Sequence, residues 1–274
     1  KKGDICDNKL VSSVLKNNKI DTIINFAAES HVDNSIENAL DFINTNIIGT
    51  YVLLESARSV WDLESKDCMK NYRFHHISTD EVFGSLKEDD HKFTEANKYF
   101  PNSPYSASKA SSDHLVRAWY ETFNLPITIS NCSNNYGPYQ HSEKFIPTII
   151  DSCINKKSIP IYGDGKNIRD WLHVQDHCEA IDLIIRMSNT GKTYNIGGNC
   201  EKNNLDVVYE ICSFFDQNIK KHNDYASLIK FVKDRKGHDY RYAIDCNEIK
   251  KDLGWTPKKN FEDGILDTIK WYLK

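Results

Sequence analysis

The 274 residues predict an α/β fold, a doubly wound parallel sheet covered by helices on both faces. Three observations carry this. Apolar runs too continuous for half-solvated strands recur at 21–28 (DTIINFAA), 73–79 (RFHHIST) and 126–132 (PITISNC). Segments of helical period separate them. From residue 133 onward the elements shorten, with NNYGPY, YGDGKN and NIGGN as turn signals, so a smaller second lobe interleaved with late sheet elements is expected.

Between the first two strands, Ile36, Leu40, Ile43, Ile47, Leu54 and Ala57 recur at helical spacing. A helix over 36–60 packed on the sheet follows, completing a crossover unit. After the second strand, Ser103 can cap a helix whose first turn holds Pro104, and Asn124 with Pro126 marks its end. That helix spans 104–123. No internal repeat or low-complexity tract interrupts the chain.

Thirty-five Lys and Arg against 39 Asp and Glu leave a net charge of -4, so no general attraction to nucleic acid or to a membrane surface is encoded. A small-molecule partner suits this balance better. Eight cysteines (Cys6, Cys68, Cys132, Cys153, Cys178, Cys200, Cys212 and Cys246) are scattered with no C-x-x-C pair, which points to reduced thiols in the cytoplasm. No apolar run approaches the roughly 20 residues of a membrane span, and KKGDICDNKL lacks the apolar stretch of a signal peptide. Neither export nor anchoring is expected.

On the second helix, Tyr105 and Lys109 stand four residues apart and so share one face. A tyrosine of pKa near 10 needs roughly 4 kcal/mol of phenolate stabilisation to act as a base near neutrality, and an adjacent ammonium with a cationic cofactor can supply it. The spacing itself is weak evidence of this. Tyr162 and Lys166 match it too, but the two glycines of YGDGK disfavour a helix there. Asp80 and Glu81, directly after the 73–79 strand, carry more weight, because ligands of open parallel sheets collect beyond the carboxyl ends of strands. Elsewhere, adjacent acids in a loop would ordinarily be a solvated turn. His173 and His177 in HVQDH have the spacing of a zinc pair, yet Val174 stands where a metallohydrolase carries its glutamate, so no metal is expected.

The blocks AAESHVDNSI, HHISTDEVFG, SPYSASKASSDHLVRAWY, NCSNNYGPYQHSEKFIP, IPIYGDGKNIRDWLHVQDH, YNIGGN and DRKGHDYRYAID occur in this order along almost the whole chain. Together they resemble the extended short-chain dehydrogenase/reductase family, and within it most closely the dTDP-glucose 4,6-dehydratase branch. The Thr79-Asp80-Glu81 triplet is the most specific element, since sugar epimerases of the superfamily share Y-x-x-x-K without both acids. The resemblance implies an NAD-dependent hydro-lyase of deoxysugar biosynthesis, such as the route to rhamnose. Such an enzyme oxidises carbon 4 of dTDP-glucose, eliminates water across carbons 5 and 6, returns the hydride to carbon 6, and so yields dTDP-4-keto-6-deoxyglucose.

Chemistry explains two acids. Oxidation at carbon 4 acidifies the carbon 5 proton, after which one group must take that proton and another must protonate the departing carbon 6 hydroxyl. The resemblance makes Glu81 the base, Asp80 the acid, Thr79 a hydrogen-bond partner of the carbon 4 oxygen, Tyr105 the base for the carbon 4 hydroxyl, and Lys109 its electrostatic support and a ligand of the nicotinamide ribose. Further NAD contacts implied are Asp4, Ile5, Phe26, Ala27, Ala28, Ser30, Thr45 and Asn135. For the nucleotide sugar, Ser30, Thr79, Asn134, Lys144, Phe145, Pro160, Tyr162, Arg169, Asn204, Arg235 and His238 are implied. Amide and cationic donors suit phosphate oxygens.

The fold expected from the resemblance is Rossmann-like and incomplete at the N-terminus. Residues 1–132, with late elements returning at about 168–190, would bind NAD, and 133–274 would mainly form the nucleotide-sugar lobe. Relatives open with a strand, a glycine-rich turn and a crossover, about 50 to 60 residues in all, and no such segment stands in this sequence. They also carry a tail beyond IKWYLK. Loss of a central strand would leave ladder groups unpaired, so the expectation is a part of a longer active enzyme. A UDP- or GDP-linked hexose as substrate, or a truncated non-catalytic nucleotide-sugar-binding homologue, are the readings that compete. Relatives form homodimers through the helices corresponding to 36–60 and 104–123, and a homodimer is expected here.

Overall fold

The computed structural model of the chain describes residues 1–63, 71–219 and 224–274. Four strands, β1 (Thr22–Asn25), β2 (Arg73–Thr79), β3 (Ile127–Cys132) and β7 (Lys192–Ile196), form one parallel sheet in the order β1-β2-β3-β7. Its register pairs Thr22 with Arg73, Phe74 with Ile127, and Thr128 with Lys192. Helices α1 (Asn8–Asn17), α4 (Thr50–Val60) and α5 (Pro104–Phe123) lie on one face. There Leu53, Leu54, Phe74, Val116 and Ile127 are buried together, each side chain contributing about 2 kcal/mol on burial. Helices α7 (Val174–Met187) and α9 (Asn247–Leu253) cover the other face through Leu172, Ile184, Tyr194, Ile196 and Ile249. The doubly wound architecture is therefore present.

The second lobe has its own core of Ile146, Ile150, Val208, Ile211 and Phe215, from α6 (Phe145–Asn155) and α8 (Asn204–Asn218). Strands β4 (Asn134–Tyr136), β6 (Ile168–His173) and β8 (Glu201–Asn203) form one small sheet of this region, and β5 (Ile159–Tyr162) pairs in parallel with β9 (Ile229–Val232) to form another. The last helix, α10 (Phe261–Tyr272), buries Ile265 and Ile269 in the same core.

Helix α5 follows its sequence signals closely. Ser103 and Ser106 cap each other's backbone in a capping box with Pro104 at the first position, and Asn124 closes the helix in the left-handed region, φ 55°. The helix expected over 36–60 differs. It is split into α2 (Val32–Glu37), α3 (Ala39–Phe42), a π-helical stretch (Ile43–Gly49) and α4. Asn38 leaves helical geometry at φ -140° and ψ 81°, and its amide donates to Asp41. Residue spacing cannot register such a break, because the apolar stripe resumes in phase after it. The stripe itself divides: Leu54 and Ala57 are buried, but Leu40 and Ile43 are 61% and 44% exposed, facing away from the sheet.

The strand expected over 21–28 ends at Asn25, opposite His76, where the ladder to β2 runs out. Phe26 turns back to donate its amide to the Ile24 carbonyl, and 26–30 are exposed. The strand expected over 126–132 begins one residue later. Seven cysteines are described and free, while Cys68 lies outside the described residues.

Candidate active site

Strand β2 delivers Thr79 to the carboxyl edge of the sheet, where its hydroxyl caps a single 3₁₀ turn, Asp80–Phe83, by accepting from the Glu81 amide at 3.3 Å. In so tight a turn successive side chains diverge. Asp80 goes inward to 2% exposure, with Oδ1 accepting from Thr79 Oγ1 at 3.4 Å and Oδ2 without a partner among the described residues. Glu81 goes to the cavity wall. Burial, reinforced by Glu81 and Asp170, pushes the Asp80 carboxyl well above the usual range, which favours its protonated form. Burial also raises Glu81, but Arg235 and Arg169 oppose the rise. Two neighbouring carboxyls thus occupy unlike electrostatic surroundings, which is how one site obtains an acid and a base.

Helix α5 places Tyr105 beside them. Its phenol is 8% exposed and meets the edge of Phe42, ring centroids 6.2 Å apart. Burial raises it well above its ordinary value, Glu81 and Cys132 add to this, and a hydrogen bond with Thr79 works in the opposite sense. Lys109 lies one turn on and is buried, donating from Nζ to the Ile77 carbonyl at 2.7 Å. The structure therefore brings Thr79, Asp80, Glu81, Tyr105 and Lys109 to one edge of the sheet.

A cavity of about 260 Å³ opens from Glu81 into the second lobe. Ten of the eleven residues expected at the nucleotide sugar line it, each from an identifiable element. Ser30 comes from the turn after β1, and Asn134 opens β4. Lys144 caps α6, which begins with Phe145; Pro160 and Tyr162 occupy the exposed side of β5. Arg169 lies on β6, Asn204 begins α8, and Arg235 with His238 follow β9. Thr79 is the exception and does not line the cavity. Arg235 Nε and Asn134 Oδ1 are buried without a protein partner among the described residues, which leaves them free to meet a ligand. Burial and the nearby Arg235 bring His238 down to about 4, so its ring is neutral; Asp234 lies 2.6 Å from Nδ1.

Sequence reasoning missed Asp33, Gln140, Thr148 and Trp171 on the same wall. Asp33 had a readable signal, since it stands within the AAESHVDNSI block, and it accepts from the Tyr162 hydroxyl at 3.2 Å. Gln140 and Trp171 likewise stand within NCSNNYGPYQHSEKFIP and IPIYGDGKNIRDWLHVQDH, whereas Thr148, one residue past the first of these, gives no such sign, and a wall built from seven chain segments has no sequence period.

Of the residues expected at NAD, Phe26, Ala27, Ala28 and Ser30 form the exposed turn after β1, and Thr45 is half-buried in the π-helical stretch. Asp4 accepts from the Cys6 amide at 2.8 Å, and Ile5 packs where Gly49 leaves no side chain. Asn135 accepts at Oδ1 opposite His177 Nδ1, 2.9 Å away, and donates to the Ser133 carbonyl at 3.0 Å. Lys109 uses one of its three donors on Ile77, so the nicotinamide end fits the residues present. His173 caps α7 by accepting at Nδ1 from the Gln175 amide at 3.2 Å and His177 Nδ1 lies against Asn135, while both Nε2 atoms are buried without a partner among the described residues.

A family model described as GDP-mannose 4,6 dehydratase matches residues 1–268. A dTDP-glucose 4,6-dehydratase of Haemophilus influenzae is 50% identical over 279 residues, covering 99% of this chain and 82% of that protein. The chain belongs to the dTDP-glucose 4,6-dehydratase family. A solved dTDP-glucose 4,6-dehydratase, DesIV of Streptomyces venezuelae with NAD and TYD bound, shares its fold at a TM-score of 0.90 and 40% identity, covering 99% of this chain and 78% of that one. A Thermotoga maritima UDP-glucose 4-epimerase reaches 0.87 at 21% identity, a likeness of fold alone. As a dTDP-glucose 4,6-dehydratase family member, the chain has the extended short-chain dehydrogenase architecture expected from its motifs.

Proposed function

We propose that the Thr79 to Lys109 cluster and the adjoining cavity convert dTDP-glucose to dTDP-4-keto-6-deoxyglucose, the reaction of the family to which the chain belongs. The observation that carries this is Asp80 beside Glu81: one acid buried where its protonated form is favoured, the other at the cavity wall under two guanidinium groups. Bound NAD supplies the acceptor, and later the donor, of a hydride. The remaining work belongs to this chain. Tyr105 takes the proton of the carbon 4 hydroxyl while Thr79 holds that oxygen, and Lys109 offsets the phenolate charge. Glu81 then takes the carbon 5 proton, and Asp80 gives its proton to the carbon 6 hydroxyl, which leaves as water. Lys144, Arg169 and Arg235 place three cations along the cavity for the diphosphate.

Residues 1–132, with the 168–190 segment, serve as the NAD-binding half in this reading, and 133–274 mainly as the nucleotide-sugar lobe. The exposed Leu40, Ile43, Tyr51 and Phe123 on α3, the π-helical stretch, α4 and α5 favour a homodimer through these helices. Sedimentation equilibrium giving a monomer mass would overturn that. No helix of the described residues is long and apolar enough to cross a membrane, and free thiols suit a cytoplasmic enzyme.

Glu81→Gln tests the assignment. With dTDP-glucose the variant is expected to accumulate reduced cofactor absorbance while losing solvent exchange at carbon 5. Exchange at the wild-type rate would remove Glu81 from its role. Turnover of UDP-glucose or GDP-mannose in preference to dTDP-glucose would refute the substrate.

A further inference from the structure

Behind the site, β2 and α5 enclose a polar cluster that the steps above leave unused. Asp113 stands one helical turn beyond Lys109 and is 2% exposed. Its Oδ2 accepts from Ser78 Oγ at 2.7 Å and from Asn131 Nδ2 at 3.4 Å, and its Oδ1 lies 3.3 Å from His76 Nε2. The Asn25 amide nitrogen, which also donates to Thr50, approaches His76 Nδ1 at 3.3 Å, so Nδ1 accepts and Nε2 carries the hydrogen toward Asp113 and Ser112. The Ser112 hydroxyl in turn donates to the Lys109 carbonyl at 2.8 Å. Ser78, Asn131 and His76 all present donors to Asp113, and the Tyr99 hydroxyl, which burial and Asp113 hold in its neutral form, is a fourth donor beside it, as a carboxylate requires.

Lys109 presents the complementary problem. Its ammonium is 4% exposed and has one short hydrogen bond, to Ile77, the peptide between His76 and Ser78. Burial pushes it toward the neutral amine, and Asp113 is the largest influence in the other direction. The groups facing it are Asp113 and Tyr105 on its own helix, His76 on β2 and Cys132 on β3. Burial lowers His76 and raises the Cys132 thiol to about 12, so both are uncharged near neutrality, and it raises Tyr105, which is uncharged until it loses its proton to become the base. While Tyr105 keeps its proton, Asp113 is the one countercharge among these groups.

We propose that Asp113 is a positioning residue: clamped by Ser78 and His76, it holds Lys109 as an ammonium against the Ile77 carbonyl beside Tyr105, without touching substrate. This rests on the roles given above to Tyr105 and Lys109.

The test uses enzyme saturated with NAD and the near-isosteric Asp113→Asn, whose amide oxygen can still accept from Ser78. Two quantities are read against pH: kcat with dTDP-glucose, and the ¹⁵N resonance of Lys109 Nζ, assigned by its loss in Lys109→Met. At neutral pH, kcat is expected to fall about tenfold or more with KM held within about twofold. The alkaline limb of kcat and the Lys109 titration should both move to lower pH, and Asp113→Glu should return both toward wild type. A variant that unfolds more easily but leaves limb and titration in place would reduce Asp113 to a structural role and overturn the proposal. Should Asp113→Asn fail to fold, Ser78→Ala is expected to move both readings in the same direction by less, and unmoved readings overturn it equally. If Lys109→Met itself kept full kcat, the underlying assignment would fail separately.

Discussion

On α5, Tyr105 and Lys109 lie one turn apart and buried, whereas Tyr162 ends β5 and Lys166 lies beyond a turn with Gly163 and Gly165 at φ 59° and 73°. Lys166 reaches only Asp164, at 3.6 Å in solvent, a pair contributing about 0 to 1 kcal/mol. Tyr162 nevertheless lines the cavity. Identical spacing therefore produces a buried pair beside Asp80 and Glu81 in one place and a cavity-lining tyrosine with an unrelated surface lysine in the other. What separates them is the helix: four residues bring two side chains together only when the backbone rises slowly enough.

Variants at the two pairs can break this comparison. The largest effect is expected from Tyr105→Phe, a loss of roughly 10³-fold in kcat, against Tyr162→Phe, which should raise KM for dTDP-glucose by up to about tenfold and leave kcat within about twofold. Equal kcat losses would mean that Tyr162 also reacts. Lys109→Met should lower kcat by roughly 10²-fold, and Lys166→Met should leave both parameters at wild-type values in steady-state kinetics. A kinetic defect in the second variant would show that the turn contributes more than Tyr162.

The smallest effect sharpens the contrast between the two acids. Asp80 has a folded pKa above that of an unfolded aspartate, about 3.9, because burial disfavours its charge. Its contribution to stability is thus fully present below about pH 3.9 and is lost as pH rises through the raised value. Asp80→Asn removes that loss, so the variant's stability relative to wild type should increase with pH from acid to neutral in denaturant unfolding, while its activity falls. A difference independent of pH would show that Asp80 is not held protonated by the fold.

Legibility followed locality. The limits of α5 were readable because Ser103, Pro104 and Asn124 act on their own backbone. β2 is buried along most of its length, but its run is not unbroken: only Phe74 and Ile77 are apolar, and His75, His76, Ser78 and Thr79 are buried polar residues. The break at Asn38 and the outward turn of Leu40 and Ile43 were not, since an apolar stripe records that a face is covered without recording by what. The cavity residues emerged through a resemblance of whole blocks; no spacing connects Lys144 with Arg235.

By itself the sequence determined the strand and helix that carry Tyr105, Lys109, Asp80 and Glu81, because hydrophobic period and capping are local. Only the tertiary structure decided how each acid is charged. Asp80 and Glu81 are neighbours with the same functional group, and their difference arises from depth and from Arg169, Asp170 and Arg235, which lie 88 to 155 positions away along the chain. Desolvation and Coulomb interactions depend on distance in space, which the order of residues does not contain.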